Sequence, residues 1–192
     1  MILSDTAILE AMEFGAIVIE PFDPACLGGN SYDVHLGSTL LVYAPTQQVW
    51  HGNQLLPLLD AKEANPTMEL PIPDEGIVLF PGQLYLGSTV EYTEAHQHVP
   101  NLDGKSSIGR LGISIHATAG RGDVGFCNHW TLEIIVPRPV KVYAGMPIGQ
   151  LTYHTVEGQV AAVYSRKAGA KYTTRNPKPQ ASAMWLNFEK KP

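Results

Sequence analysis

Beyond Gly15, apolar residues come in short runs rather than at helical spacing. The runs AIVIEPF, YDVHLGSTLLVY, GIVLFPGQLYLGSTVEY, HWTLEIIV and IGQLTYHTV are rich in β-branched and aromatic residues. Turn-forming residues punctuate them, and the chain holds 18 Gly and 15 Pro. Many short strands between turn signals predict a mainly β fold, a sandwich, jelly roll or distorted barrel. Before Gly15 the pattern differs. Residues 4–14, SDTAILEAMEF, read as a short helix capped by Ser4 or Asp5, with Ile8, Leu9 and Met12 on one stripe. The segment DGKSSIGRL, residues 103–111, reads as a loop opening a short helix at Ser106 or Ser107. From Ser165 the chain turns basic and gathers Gly and Pro, which predicts an extended, mobile tail over about residues 165–192. No repeat divides the chain, so residues 1–192 read as one β domain with a short N-terminal helix.

Composition narrows the function. Apolar residues make up 44% and charged residues 16%, as expected of a soluble globular protein, and no run approaches the roughly 18 apolar residues of a membrane span. The N-terminus carries acids where a secretory signal carries cations, which predicts a cytoplasmic location. Cys26 and Cys127 are too few for a disulfide framework and read as free thiols. A net charge of −5 argues against general nucleic-acid binding but allows a small anionic ligand.

The densest group of unusual choices is GKSSIGRLGISIHATAGRGDVGFCNHWTLEI, Gly104 to Ile134. Lys105, Ser106, Ser107 and Arg110 around glycines suit an anion cradle of hydroxyls, cations and backbone N–H groups; a Ser-capped surface helix with a solvated Arg accounts for them equally. Asp123 among glycines fits either a sugar-hydroxyl acceptor or an Asx-turn residue. His116, within an apolar alternation, reads more readily as a structural histidine than a catalytic one. Glu133 lies in the most hydrophobic run, where lost hydration should raise its pKa and favour a proton-shuttling role; a structural ion pair is the other reading. Metal chemistry is not expected. The H-x-E and P-C-x-x-C motifs of zinc deaminases are missing, and His96 and His98 in EAHQHVP read as exposed loop residues without a Cys or acidic partner at ligand spacing.

At GKSSIGRLGISIHATAGRGDVGF…TLE the sequence resembles the dCTP deaminases of the dUTPase superfamily. The resemblance extends to NSYDVHLG (30–37), PGQLYLGSTVEY (81–92), AGMPIGQL (144–151) and AKY (170–172). It implies a distorted jelly-roll or β-barrel of the dUTPase-like type, a homotrimer with active sites shared between subunits, and a tail that closes over the nucleotide. It implies dCTP as substrate, dTTP as a candidate feedback inhibitor, no nucleic-acid or membrane partner, and Mg2+ carried by the nucleotide phosphates rather than held by the protein. By position, Lys105, Ser106, Ser107 and Arg110, with Ile108 and Gly109 between them, would hold the phosphates. Asp123 would bind the 3′-hydroxyl, and Thr131, Leu132 and Glu133 would line the cytosine pocket. Gln150, Tyr164 and Lys171 match further triphosphate positions, and Arg175 stands where the tail usually has Gln.

The implied reaction is hydrolytic deamination of dCTP to dUTP and ammonia. Glu133 would take a proton from a water held near Ser106 and the Ala119 carbonyl, then protonate N3 and the leaving amine. The alternative is a bifunctional enzyme that releases dUMP and diphosphate, which Gly120 after Ala119 favours. A non-catalytic nucleotide sensor on the same scaffold should have lost Glu133 or the phosphate cluster, and here both are present. Departures from the family pattern include Lys105 for Arg, Val124 for Pro, and Asn128-His129-Trp130 for smaller residues, which bear on the pocket rim and the exact substrate.

Overall fold

The computed structural model describes residues 1–189; the last three positions of the expected tail lie outside the described residues. The helix α1 spans Asp5–Glu13, and Ser4 is its cap, its hydroxyl accepting the Ala7 N–H at 3.3 Å. Ile8 and Ala11 face the core, whereas Leu9 is largely outside it, so the buried stripe is rotated from the expected one.

Twelve strands follow: β1 (Ile17–Glu20), β2 (Tyr32–His35), β3 (Thr39–Tyr43), β4 (Gln48–His51), β5 (Gln54–Pro57), β6 (Thr67–Pro71), β7 (Ile77–Leu79), β8 (Tyr85–Ala95), β9 (His98–Gly104), β10 (Phe126–Ile134), β11 (Val140–Val142) and β12 (Pro147–Thr155). One turn of helix, α2 (Ser106–Gly109), interrupts them between β9 and β10. Every described pairing is antiparallel. The long β8 organises the largest sheet, of order β1-β8-β3-β6, with β10 also paired to β8; β2-β12-β9 form a second sheet. This mainly β, jelly-roll-like architecture agrees with the alternation read from the sequence.

The core fills the space between the sheets. Leu40 (β3), Leu132 and Ile134 (β10), and Ile148, Leu151 and Tyr153 (β12) are fully buried. Each such aliphatic side chain contributes about 1.5–3 kcal/mol on burial. In β10, inward Leu132 and Ile134 alternate with half-exposed Thr131 and Glu133, and this fixes which face of the strand meets the cleft. No described helix is long and apolar enough to cross a membrane.

Two segments differ from the sequence reading. The β4–β5 hairpin and β6 fall in a stretch without a recognised strand run, because their apolar side chains, Trp50 and Leu55 among them, are exposed rather than alternating. His98 belongs to β9, not to an exposed loop; its ring is partly buried, Nδ1 has no hydrogen-bond partner, and burial lowers its pKa.

Candidate active site

Glu133 is carried on β10 opposite Leu86 of β8, and its N–H donates to the Ile115 carbonyl at 2.8 Å. That bond and the Ser114–Ile135 bridge bring the 114–120 segment alongside β10. As a result one carboxylate oxygen, Oε2, lies 3.2 Å from His116 Nδ1 and accepts the Ala117 N–H at 3.3 Å. The hydrogen bond to His116 is the main cause of a Glu133 pKa below the ordinary carboxylate value; burial opposes it, and the Ala117 N–H adds to it. The expectation of a raised pKa is thus corrected. Burial acts in the expected sense, but hydrogen bonds to the ionised form outweigh it.

His116 is only partly satisfied, through the contact of Nδ1 with Glu133. Its side chain is only 10% exposed, and its Nε2 is buried without a hydrogen-bond partner.

Both residues line a cleft of about 510 Å³, a size typical of small-molecule sites. Its walls include Tyr43, Phe126, Trp130, Tyr164 and Tyr172, with polar groups from Arg121, Asp123, Thr131 and Gln180. Aromatic walls around a carboxylate suit a planar, partly polar ring. Gly120 lets the adjacent turn pass this close. A Cβ there would lie 2.5 Å from the Leu102 carbonyl oxygen, and the Gly120 carbonyl accepts the Leu102 N–H at 2.7 Å.

The tail forms one side of the cleft. The Tyr164 N–H donates to the Val124 carbonyl at 2.8 Å, and the Gln180 N–H donates to Thr131 Oγ1 at 3.1 Å. Asn128, fully buried in β10, holds the segment between them. Its amide donates to the Tyr172 and Thr174 carbonyls at 3.1 and 2.9 Å and accepts the Asn176 N–H at 2.9 Å.

Of the expected site residues, Ala119, Asp123, Thr131, Glu133 and Tyr164 meet in this cleft. Leu132 does not reach it with its side chain, which is wholly in the core, and Ile108 is likewise buried, so either can offer a ligand only backbone groups. Asp123 Oδ2 pairs with Lys167 Nζ at 2.7 Å. The α2 cluster lies outside the cleft within one chain. Ser106, Ser107 and Arg110 are exposed, Lys105 pairs with Asp33, and Gly109 lines a neighbouring concavity that shares His116. Gln150 is in β12 opposite Asp33 and Asp103. Lys171 lines a small surface hollow. Arg175 stacks on Tyr92 at 3.8 Å and pairs with Glu20.

Arg121 and Tyr43 are lining residues that the sequence reading missed; Tyr172 entered it only within the tail motif AKY, and His129 only as a departure at the pocket rim. Arg121 carried a signal, a cation set between two glycines of the same turn as Asp123. As for metals, the described group of three potential ligands is Glu94, His96 and Cys127, away from this cleft. His96 therefore does have acidic and Cys neighbours; strand pairing supplies the Cys.

A family model described as dCTP deaminase-like matches residues 2–156. A protein of Cytophaga hutchinsonii named "dCTP deaminase, dUMP-forming" is 46% identical over 190 residues, covering 99% of this chain and 100% of its own. Proteins with the same name from Leptospira biflexa and Clostridium beijerinckii are 47% and 43% identical, covering 100% and 99% of this chain and all of their own. The crystal structure of a 2′-deoxycytidine 5′-triphosphate deaminase from Agrobacterium tumefaciens shares the fold with a TM-score of 0.60 at 22% identity, over 81% of this chain and 48% of that one. By both the family match and these full-length relatives, the chain belongs to the dCTP deaminase-like family.

Proposed function

We propose that the protein hydrolyses dCTP, taken as its Mg2+ complex, to dUMP, ammonia and diphosphate. This is the alternative of the sequence reading rather than its main form, in which dUTP is the product. The names of the relatives favour it, and so does Gly120, whose place no side chain can take without moving the turn. The observation that carries the reading is Glu133 in the cleft, ionised by its hydrogen bonds and open at one side to a ligand.

In this reading the pyrimidine lies between the aromatic walls with C4 facing Glu133. The carboxylate takes a proton from a water held near its own chain's Ala119 carbonyl and a Ser106 supplied by an adjacent copy. The resulting hydroxide adds to C4, and Glu133 returns the proton to N3. Glu133 then takes the proton of the new C4 hydroxyl and passes it to the amine, so that ammonia leaves as the carbonyl forms. His116 and the Ala117 N–H hold the carboxylate in its base form. A second water attacks the α-phosphorus and diphosphate departs, with Mg2+ neutralising the phosphate oxygens as part of the substrate. No step runs through a metal held by the protein.

Asp123 would take the 3′-hydroxyl, and Arg121 supplies a cation on the cleft wall. The α2 cluster, Lys105 to Arg110, serves the phosphates of a nucleotide held by an adjacent copy in a homotrimer; that it does not line the cleft of its own chain supports this arrangement.

The test is incubation with dCTP and Mg2+ and chromatography of the products. dUMP is expected. Accumulating dUTP would restrict the activity to deamination, and unchanged dCTP would overturn the reading. Glu133→Gln should still bind dCTP but lose at least about 100-fold in deamination; a variant that kept most of its turnover would remove Glu133 from the mechanism.

A further inference from the structure

Antiparallel pairing of β8 with β10 sets Cys127 directly opposite Glu94, and His96 follows two residues after Glu94 where β8 ends. One donor atom from each of the three side chains lies within 4.8 Å of the other two. Glu94 Oε2 is 2.6 Å from His96 Nε2. Its other oxygen, Oε1, accepts the Tyr92 hydroxyl at 2.6 Å. Burial and this bond push the Tyr92 phenol up, so it stays a neutral donor that fixes the plane of the carboxylate. The Cys127 thiol, raised by burial and by Glu94, is protonated and donates weakly to the Gly125 carbonyl at 3.5 Å. Arg175, stacked on Tyr92, is the neighbouring positive charge and also faces Glu20.

We propose that Glu94, His96 and Cys127 form a binding site for a borderline-soft divalent transition ion of the Zn2+ class, with a fourth position open to solvent. Thiolate, imidazole and carboxylate together are the donor set that such ions favour over Mg2+ or Ca2+. In a tetrahedral site with bonds of about 2.0–2.3 Å, neighbouring donors stand roughly 3.2–3.8 Å apart. The pair at 2.6 Å must therefore open, and no gap, all being within 4.8 Å, need close by more than about an ångström, within the reach of side-chain rotation. Two of the three donors, Glu94 and Cys127, are held in register by the strand ladder, and Tyr92 orients one of them, the Glu94 carboxylate, from behind, as outer partners do in metal sites.

On binding, the thiol proton leaves to solvent and the proton that Nε2 presents to Glu94 is exchanged through solvent for one on Nδ1, which frees the Nε2 lone pair for the ion. The thiolate and carboxylate charges then balance the ion. The ion would tie the end of β8 to the start of β10, between Phe126 of the cleft wall and Asn128 of the tail clamp. Its place outside the cleft makes it structural, and it stands or falls independently of the activity proposed above.

The experiment is titration of the metal-free full-length protein with Co2+, followed by absorbance. Expected are a thiolate-to-cobalt charge-transfer band in the near ultraviolet that saturates at one equivalent per chain, and its loss when Zn2+ is added. Cys127→Ser should abolish the band, and Tyr92→Phe should weaken binding by about 10-fold or more while leaving the band in place at saturation. Cys26→Ser should leave it unchanged. A band that is missing at saturating Co2+ in the wild type, survives in Cys127→Ser, or disappears in Cys26→Ser would overturn the proposal. The wild-type titration needs no variant to fold.

Discussion

Asn128→Leu should release the C-terminal segment without unfolding the domain beneath it. Asn128 is wholly buried, and three of its hydrogen bonds reach the tail, at Tyr172, Thr174 and Asn176. Leucine has a similar volume, so the core keeps its packing while all three bonds vanish. Each such bond is worth about 0.5–1.5 kcal/mol net, so docking of this stretch weakens by roughly 3 kcal/mol, or about 100-fold in its equilibrium. The freed carbonyls can reach water once the tail lifts, so the loss appears as tail release rather than as global instability. Limited trypsin digestion reads this directly. Cleavage after Lys171 and Arg175 should accelerate by about two orders of magnitude, because cleavage follows the population of the open form when opening is fast. Gln180 and Ser182 should stay docked, since their N–H groups remain bonded to Thr131 and Tyr43. Cleavage within about threefold of the wild-type rate, with unchanged thermal unfolding, would show that Asn128 is not the clamp.

Three further outcomes follow from the same geometry. Gly120→Ala places a Cβ about 0.9 Å short of an ordinary contact with the Leu102 carbonyl oxygen, which must displace Ala119 and lower turnover by about 100-fold in a folded protein; steady-state rates alongside a melting curve check this. Because Glu133 is held below its ordinary value of 4.5, its ionised form stabilises the fold fully above that pH and loses its effect as pH falls through the lowered folded-state value; the melting-temperature advantage of wild type over Glu133→Gln should therefore shrink as the solution is acidified below 4.5, and an advantage that grew there would refute the sign. If α2 serves a neighbouring copy, inactive Glu133→Gln and Arg110→Ala chains mixed by co-expression should regain part of the deaminase activity, whereas sites complete within one chain would stay inactive in every mixture.

The strand pattern was legible where one face of a strand is buried and the other is not. β10 is the clearest case, with Leu132 and Ile134 inward and Glu133 outward, and it announced its carboxylate from sequence alone. The β4–β5 hairpin was not legible, because Val49 and Trp50 pair with Leu56 and Leu55 on a surface where neither face is buried. The sign of the Glu133 shift was lost for a related reason. Hydrophobic neighbours reveal burial, but only the contact with His116, seventeen positions earlier in the chain, reveals the donor that outweighs it. Asn128 shows how local the hidden information can be, since one amide meets backbone groups spread over Tyr172 to Asn176 that nothing in its own run foretells. The same holds for Cys127, placed opposite Glu94 by the β8–β10 register. What escapes the sequence is thus the pairing of polar groups across strands. Burial follows from residue type and spacing, whereas the protonation state of a buried group depends on which partner the fold sets against it.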